Sequence, residues 1–276
     1  MKLLIYLIRW NGGVGRYINN IKPLLEKEGY EVEVISREDD LNCFSTIKAW
    51  KKIREEVKRR NFDILYTQDW SCALPFLFYG KNHYCFFHGH SLGKEFLFQY
   101  FVGKLMKKNL ATADLLNSKI FNCPLIPHGI NMNEFRPLGL KREFLGWTNK
   151  KTEMITQEDI KELGVKLNMP ILIADNIPPE KMNEFYNKCK IFISLPPKQA
   201  GCQLSYLEPM AAGVPRIVGN MHGEGYKYPF EKVENFDGLA EAIKKSKKRD
   251  YRKWLEKSKF TLENHVKGLI ELFAHT

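Results

Sequence analysis

The chain has 276 residues, room for two domains of ordinary size, and its 44% hydrophobic and 27% charged residues exclude a disordered or fibrous chain. Its 43 Lys and Arg against 32 Asp and Glu leave a formal charge of +11, which implies acidic partners such as nucleotide diphosphates, anionic lipid or nucleic acid without choosing among them. No apolar run approaches the roughly 20 residues of a membrane span, and six scattered cysteines (Cys43, Cys72, Cys85, Cys123, Cys189, Cys202) without C-x-x-C spacing argue against a disulfide framework or zinc site. Met1 to Ile8 is apolar but is broken by Arg9 and lacks a small-residue cleavage site, so it reads as a first strand, not a signal peptide; a reducing cytoplasm is the simplest home. Gly12, Gly13, Val14, Gly15 and Arg16 follow, and then Tyr17, Ile18, Ile21, Leu24 and Leu25 mark a helix face that Gly29 ends and Pro23 should kink. Strand, glycine turn and helix open a doubly wound sheet. In that turn Gly12 and Gly13 allow close backbone approach to a ligand, and Arg16 adds a charge; the alternative is a plain strand-to-helix joint.

Glu31 to Ile35 alternates as a strand, and Ile47, Trp50, Ile53 and Val57 trace a helix whose other face is basic, most simply a solvated surface. Phe62 to Gln68 and Tyr84 to Phe87 are further strands, so the pace of alternation predicts an α/β chain with a parallel sheet. His88-Gly-His90 ends the latter strand, and with no third ligand in view it is not a metal site. Phe96 to Val102 is apolar around most of its circumference and runs into Lys104, Lys107 and Lys108. Such a helix either lies on a membrane surface or packs into the core. Beyond it, Glu143 to Leu145 begins a second sheet, Thr156 caps a helix over Gln157 to Leu167, and Ile171 to Ala174 is a strand. Glu180 to Asn187 reads as a helix, Lys190 to Leu195 as a buried strand, Arg216 to Gly219 as another, and Leu239 to Lys247 and Tyr251 to Ala274 as helices.

The stretch Ala200 to Pro215 carries the strongest signal. Leu204, Leu207 and Ala211 form a helical stripe, but the same stripe carries Glu208, and a carboxylate facing a core is costly unless something pairs with it. Gly213 and Pro215 stop the helix. This passage resembles the signature of family 4 glycosyltransferases, retaining nucleotide-sugar enzymes of the GT-B fold, at Gly201, Leu204, Leu207, Glu208, Met210, Ala211, Gly213 and Pro215. It departs at Ala200, where the family has a second glutamate that contacts the transferred sugar, and Gln199 and Gln203 are the nearest polar substitutes.

The resemblance implies two Rossmann-like doubly wound domains facing across a cleft. Residues 1–135 form the acceptor side and residues 136–276 bind the nucleotide sugar, with the last helix crossing back to the first domain. The passage Pro127 to Pro137 is similar to the one that leaves the first domain in the family. By the same likeness His88 faces the transferred sugar, Glu208 accepts from the donor's ribose hydroxyls, and Gly12, Gly13 and Arg16 lie where substrates bind. Trp147 stands in place of the arginine that meets the donor diphosphate, leaving Lys150 and Lys151 as its lysines and Arg142 as a substitute cation. Gly201, Gln203 and Leu204 line the donor loop. The implied reaction moves a sugar from a nucleotide diphosphate donor to a glycan, lipid or small-molecule hydroxyl. No cofactor or metal is called for, since the chain has no Asp-x-Asp motif. A GT-B protein that binds nucleotide sugar with little turnover is the alternative, and nucleic acid is not expected as a partner.

Overall fold

The computed structural model describes residues 1–44, 46–78, 82–89, 91, 94–149, 155–196, 204–220 and 228–274. The chain divides into two compact units, one of Met1–Pro127 with Leu262–Thr276 and the other of His128–Thr261.

In unit 1, β1 (Lys2–Leu7) leads through the glycine turn into α1 (Gly13–Lys27), followed by β2 (Glu31–Ser36) and α2 (Thr46–Lys58). Then come β3 (Ile64–Gln68), the short α3 (Asp69–Ala73), β4 (Asn82–Phe87), α4 (Lys94–Leu105), β5 (Leu110–Thr112) and α5 (Leu115–Phe121). The five strands are parallel in the order β2-β1-β3-β4-β5. All five residues of β3 and the last five of β1 and β4 are buried, as expected for strands covered on both faces. α1 runs through Pro23 without ending there.

Unit 2 repeats the scheme with β6 (Phe144–Thr148), α6 (Gln157–Leu167), β7 (Ile171–Ala174), α7 (Met182–Lys188), β8 (Cys189–Ser194), α8 (Leu204–Ala211) and β9 (Ile217–Gly219). It closes with β10 (Glu231–Lys232), α9 (Leu239–Lys245) and α10 (Tyr251–Glu256), and the parallel strand order is β10-β9-β8-β6-β7. α6 starts at a capping box in which the Thr156 hydroxyl accepts from the Asp159 amide and Asp159 answers to the Thr156 amide. Gly213, at φ 75°, ends the turn after α8 in a left-handed conformation that suits glycine.

The helix expected over Tyr251 to Ala274 is two helices. α10 stops at Glu256, and α11 (Leu262–Ala274) begins after a break in which Thr261 forms a parallel bridge with Ile130 and the Phe260 carbonyl accepts from the Ile130 amide. That tertiary pairing overrides the local helical pattern. α11 belongs to unit 1, where it packs on α1, its Phe273 ring lies edge-on to Tyr66 and Tyr84, and its Gly268 lies against Ile126.

Candidate functional site

Functional groups of unit 1 gather at the carboxyl ends of β1, β3 and β4, the edge where open parallel sheets hold ligands. Gly12 sits at φ 116°, a value an L side chain rarely adopts, and neither Gly12 nor Gly13 has anything within 4 Å of an added Cβ, so this backbone lies open to a ligand. Gly15 is constrained differently: its Cβ would meet the Trp10 carbonyl oxygen at 1.8 Å, so the turn itself requires glycine there. α1 has no side-chain cap and no acid in its first turn, which leaves its amino end favourable to an anion. Arg16, half-buried, lies in that turn.

His88 follows β4 directly. Its Nε2 lies 2.8 Å from Gln68 Oε1, so Nε2 carries the proton and donates, while its backbone amide donates to Asp69 Oδ1 at 3.0 Å. The ring lies edge-on to Tyr17 at 4.9 Å and to Phe86 at 5.1 Å. Burial, with His265 nearby, pushes its pKa down to about 3, so His88 is neutral at working pH. A neutral imidazole offers hydrogen bonds and no charge. Asp69 holds a left-handed φ of 64°, and burial raises its carboxyl to about 6 against the lowering effect of the His88 amide.

Behind His88 runs a buried polar chain that the sequence did not announce. His265 Nδ1 lies 2.7 Å from the Pro127 carbonyl, which can only accept, so Nε2 is unprotonated and accepts from the Tyr17 hydroxyl at 2.7 Å. Tyr66 completes the chain 3.0 Å from the Tyr17 oxygen. The only signal for Tyr17 and His265 was a polar atom on an otherwise apolar helix face.

In unit 2, Glu208 sits on α8 at 8% exposure, and its Oε2 accepts from the Tyr186 hydroxyl of α7 at 2.8 Å. Leu204 opens the same helix, half-buried. Beside it the Tyr206 hydroxyl, with one proton to share, lies 2.8 and 2.9 Å from the Ser194 and Asn220 carbonyls, and Asn220 Nδ2 donates to Pro196 at 2.9 Å, which ties the ends of β8 and β9 together. A Cβ on Gly219 would meet the Tyr206 ring at 2.5 Å, so this glycine makes room for that tie.

The structure places Trp147 and corrects the expectation for Arg142. Trp147 is 1% exposed and packs in the core of unit 2 with Leu145, Ile160 and Ile193. Arg142 is not a substitute for the diphosphate arginine. Its guanidinium donates to the carbonyls of Tyr186 (2.9 Å), Cys189 (3.4 Å) and Ala212 (2.7 Å) and to Asn187 Oδ1 (3.1 Å), so the donors of both terminal nitrogens are spent on the fold. Lys150, Lys151, Gln199, Ala200, Gly201, Gln203 and His90 lie outside the described residues. Gly12, Gly13, Arg16 and His88 thus belong to unit 1, and Leu204 and Glu208 to unit 2. Among the described residues no group of three or more His, Cys, Asp or Glu is placed to hold a metal ion.

No protein-family model matches the chain, and no curated protein matches it. Solved structures match over its full length. Sucrose-phosphate synthase from Thermosynechococcus elongatus is 13% identical with a TM-score of 0.72, covering 100% of this chain and 99% of its own. Anabaena HepE in complex with UDP-glucose is 13% identical with a TM-score of 0.63, and each chain is covered completely. The fold is GT-B. The catalytic domain of starch synthase IV from Arabidopsis thaliana, bound to ADP and acarbose, aligns at 11% identity and a TM-score of 0.64, covering 99% of this chain and 98% of its own. At such identities the likeness speaks for the fold, and the chemistry has to be argued from residues.

Proposed function

We propose that the chain is a glycosyltransferase that moves a sugar from a nucleotide diphosphate donor to the hydroxyl of a glycan, lipid or small-molecule acceptor, with retention and without a metal ion. The observation that carries the reading is Glu208, a buried carboxylate at the motif position assigned to the donor ribose, in a chain folded along its whole length as glycosyltransferases are. Neighbours bound to UDP-glucose and ADP support a nucleotide donor.

The chemical demand is to stabilise negative charge growing on the leaving diphosphate. The uncapped amino end of α1, with the open amides at Gly12 and Gly13, can answer it in part, and Lys150 and Lys151 are the cations assigned to it. Neutral His88 would bond a hydroxyl of the transferred sugar without adding charge, its ring held in place by Gln68 and Tyr17.

Glu208→Gln keeps the shape and removes the charge. A hydrogen bond to a charged group is worth about 1.5 to 3 kcal/mol, so nucleotide diphosphate affinity should fall roughly ten- to a hundred-and-fifty-fold by calorimetry, with the melting temperature retained. Tyr186→Phe separates this role from a structural one. If Glu208 serves only Tyr186, both variants lose stability alike and neither loses affinity.

A second reading, nucleotide-sugar binding with little turnover, is favoured by Trp147 in the core and Arg142 held on carbonyls, which leave neither for the diphosphate. Donor hydrolysis and transfer assays with radiolabelled nucleotide sugars decide between the two.

A further inference from the structure

α4 is apolar nearly all round, yet only one side of it is covered. Gln99, Val102 and Gly103 face inward, and a Cβ on Gly103 would sit 2.5 Å from the Phe121 ring. On the opposite side Leu97, Phe101 and Leu105 recur every four residues, at 68%, 52% and 47% exposure. Phe98 and Tyr100 flank this stripe and are also exposed, with Phe98 stacked on Trp70 at 5.3 Å. Four lysines surround it in the sequence, Lys94, Lys104, Lys107 and Lys108, all exposed, against the single acid Glu95. Lys104 Nζ lies over the Tyr100 ring, 5.2 Å from its centre, so a cation sits at the edge of the apolar stripe.

A contiguous exposed stripe of large apolar side chains marks a docking face, and its lysine rim says for what. We propose that α4 docks unit 1 on an anionic lipid surface, its leucines and phenylalanines entering the boundary between headgroups and acyl chains while the lysines meet lipid phosphates. Contact of this kind is peripheral, since no described helix is long and apolar enough to cross a membrane. A second copy of the chain fits worse, because a two-fold interface sets the same patch against itself and would bring two lysine rims together. A protein partner also fits worse, since lysine is depleted from protein interfaces.

The test is sedimentation of the full chain with vesicles of phosphatidylcholine alone and of equimolar phosphatidylcholine and phosphatidylglycerol, without nucleotide. Binding is expected only to the anionic vesicles. Leu97→Ser with Phe101→Ser should weaken it more than tenfold, since each substitution withdraws a large apolar side chain. Lys104→Gln, Lys107→Gln and Lys108→Gln should each cost roughly fivefold, as expected of a lysine at an anionic surface. These positions are exposed, so melting temperatures should stay unchanged. Failure to bind anionic vesicles, equal binding to both vesicle types, or binding indifferent to both sets of substitutions overturns the proposal. A concentration-dependent dimer lost on Leu97→Ser with Phe101→Ser overturns it too, and gives the face to a second copy. No nucleotide sugar enters the assay, so its outcome is separate from that of the transfer reaction.

Discussion

In unit 1, carbonyls inside the fold receive donors from neutral imidazoles: His265 bonds Pro127, and His83 Nδ1 bonds Phe76 at 3.2 Å while its Nε2 accepts from Thr67. In unit 2 the same need is met by guanidinium groups. Arg142 serves Tyr186, Cys189 and Ala212; Arg252 serves Phe135, Ala211 and Met132; Arg216 serves Ile243. Arginine stays ionised at any working pH, whereas an imidazole must remain neutral to leave one nitrogen free to accept. The two halves of one fold therefore differ in what perturbs them. Unit 1 is exposed to acid, and unit 2 to loss of a single many-handed side chain.

The largest expected effect of a single substitution is on unit 2. Arg142→Ala takes a donor from four acceptors at once; Asn187 Oδ1 keeps the Leu138 amide and the Tyr186 carbonyl keeps the Cys189 amide, but the loss at the others should cost about 3 kcal/mol or more. Arg142→Lys should recover only part of this, because an ammonium cannot reproduce the planar fork. Denaturant melts give the size of the loss, and limited proteolysis gives its place: new cuts should concentrate within His128–Thr261. A variant that melts normally would mean that the guanidinium clamps are decorative, and the contrast between the units would collapse.

Acid should act on unit 1 instead. Burial depresses His83 and His265 to about 4 and His88 to about 3, all below the ordinary imidazole value of 6.5. Between those values and 6.5 the unfolded chain binds protons that the native chain refuses, so stability is full above about pH 6.5 and falls as the pH drops below it. Asp69, raised to about 6, acts in the opposite sense between its ordinary 3.8 and 6, because there the native state holds the extra proton. Each histidine costs roughly 2 kcal/mol by about pH 5 and the aspartate returns roughly 1.4, which leaves a net loss on the order of 5 kcal/mol. Proteolysis at that pH should open Met1–Pro127 before His128–Thr261. The reverse order, or a flat profile, would break the comparison.

How much of this could be read from residues varies with how local the cause is. The capping box at Thr156 and the strand Ile171–Ala174 follow from side chains within a few positions, and both were legible. β5 and β10, three and two residues long, carry no periodicity of their own and exist because a neighbouring strand pairs with them. The break between α10 and α11 contains neither glycine nor proline and is set by Ile130, far away in the chain. At the candidate site Glu208 stood out as a charge on an apolar stripe, but Tyr186, its partner, looked like one more aromatic on a helix. Trp147 was legible as the residue in the arginine's place, but alignment to a motif gives a position and not a direction; the strand turns its ring into the core. A hydrogen-bond chain such as Tyr66–Tyr17–His265 joins three distant segments, and no spacing encodes it.

That chain offers the smallest and most discriminating test. Tyr17→Phe keeps the ring that lies edge-on to His88 and removes only the hydroxyl shared by Tyr66 and His265. At neutral pH the loss of one buried hydrogen bond should cost about 1 kcal/mol. Burial is what lowers the His265 pKa, and the hydroxyl is expected to add to it, because a donor to Nε2 favours the unprotonated ring. Without it the His265 pKa should rise, the native state should accept a proton sooner, and the acid loss of unit 1 should shrink. The variant is thus expected to be less stable than the parent near pH 7.5 and to approach it near pH 5, a convergence expected from linkage and not from lost packing. Denaturant melts at the two pH values read the difference, and NMR titration of the His265 ring reads its cause. An equal deficit at both would mean that the Tyr17 hydroxyl does not govern the His265 proton, and that burial alone holds that ring neutral.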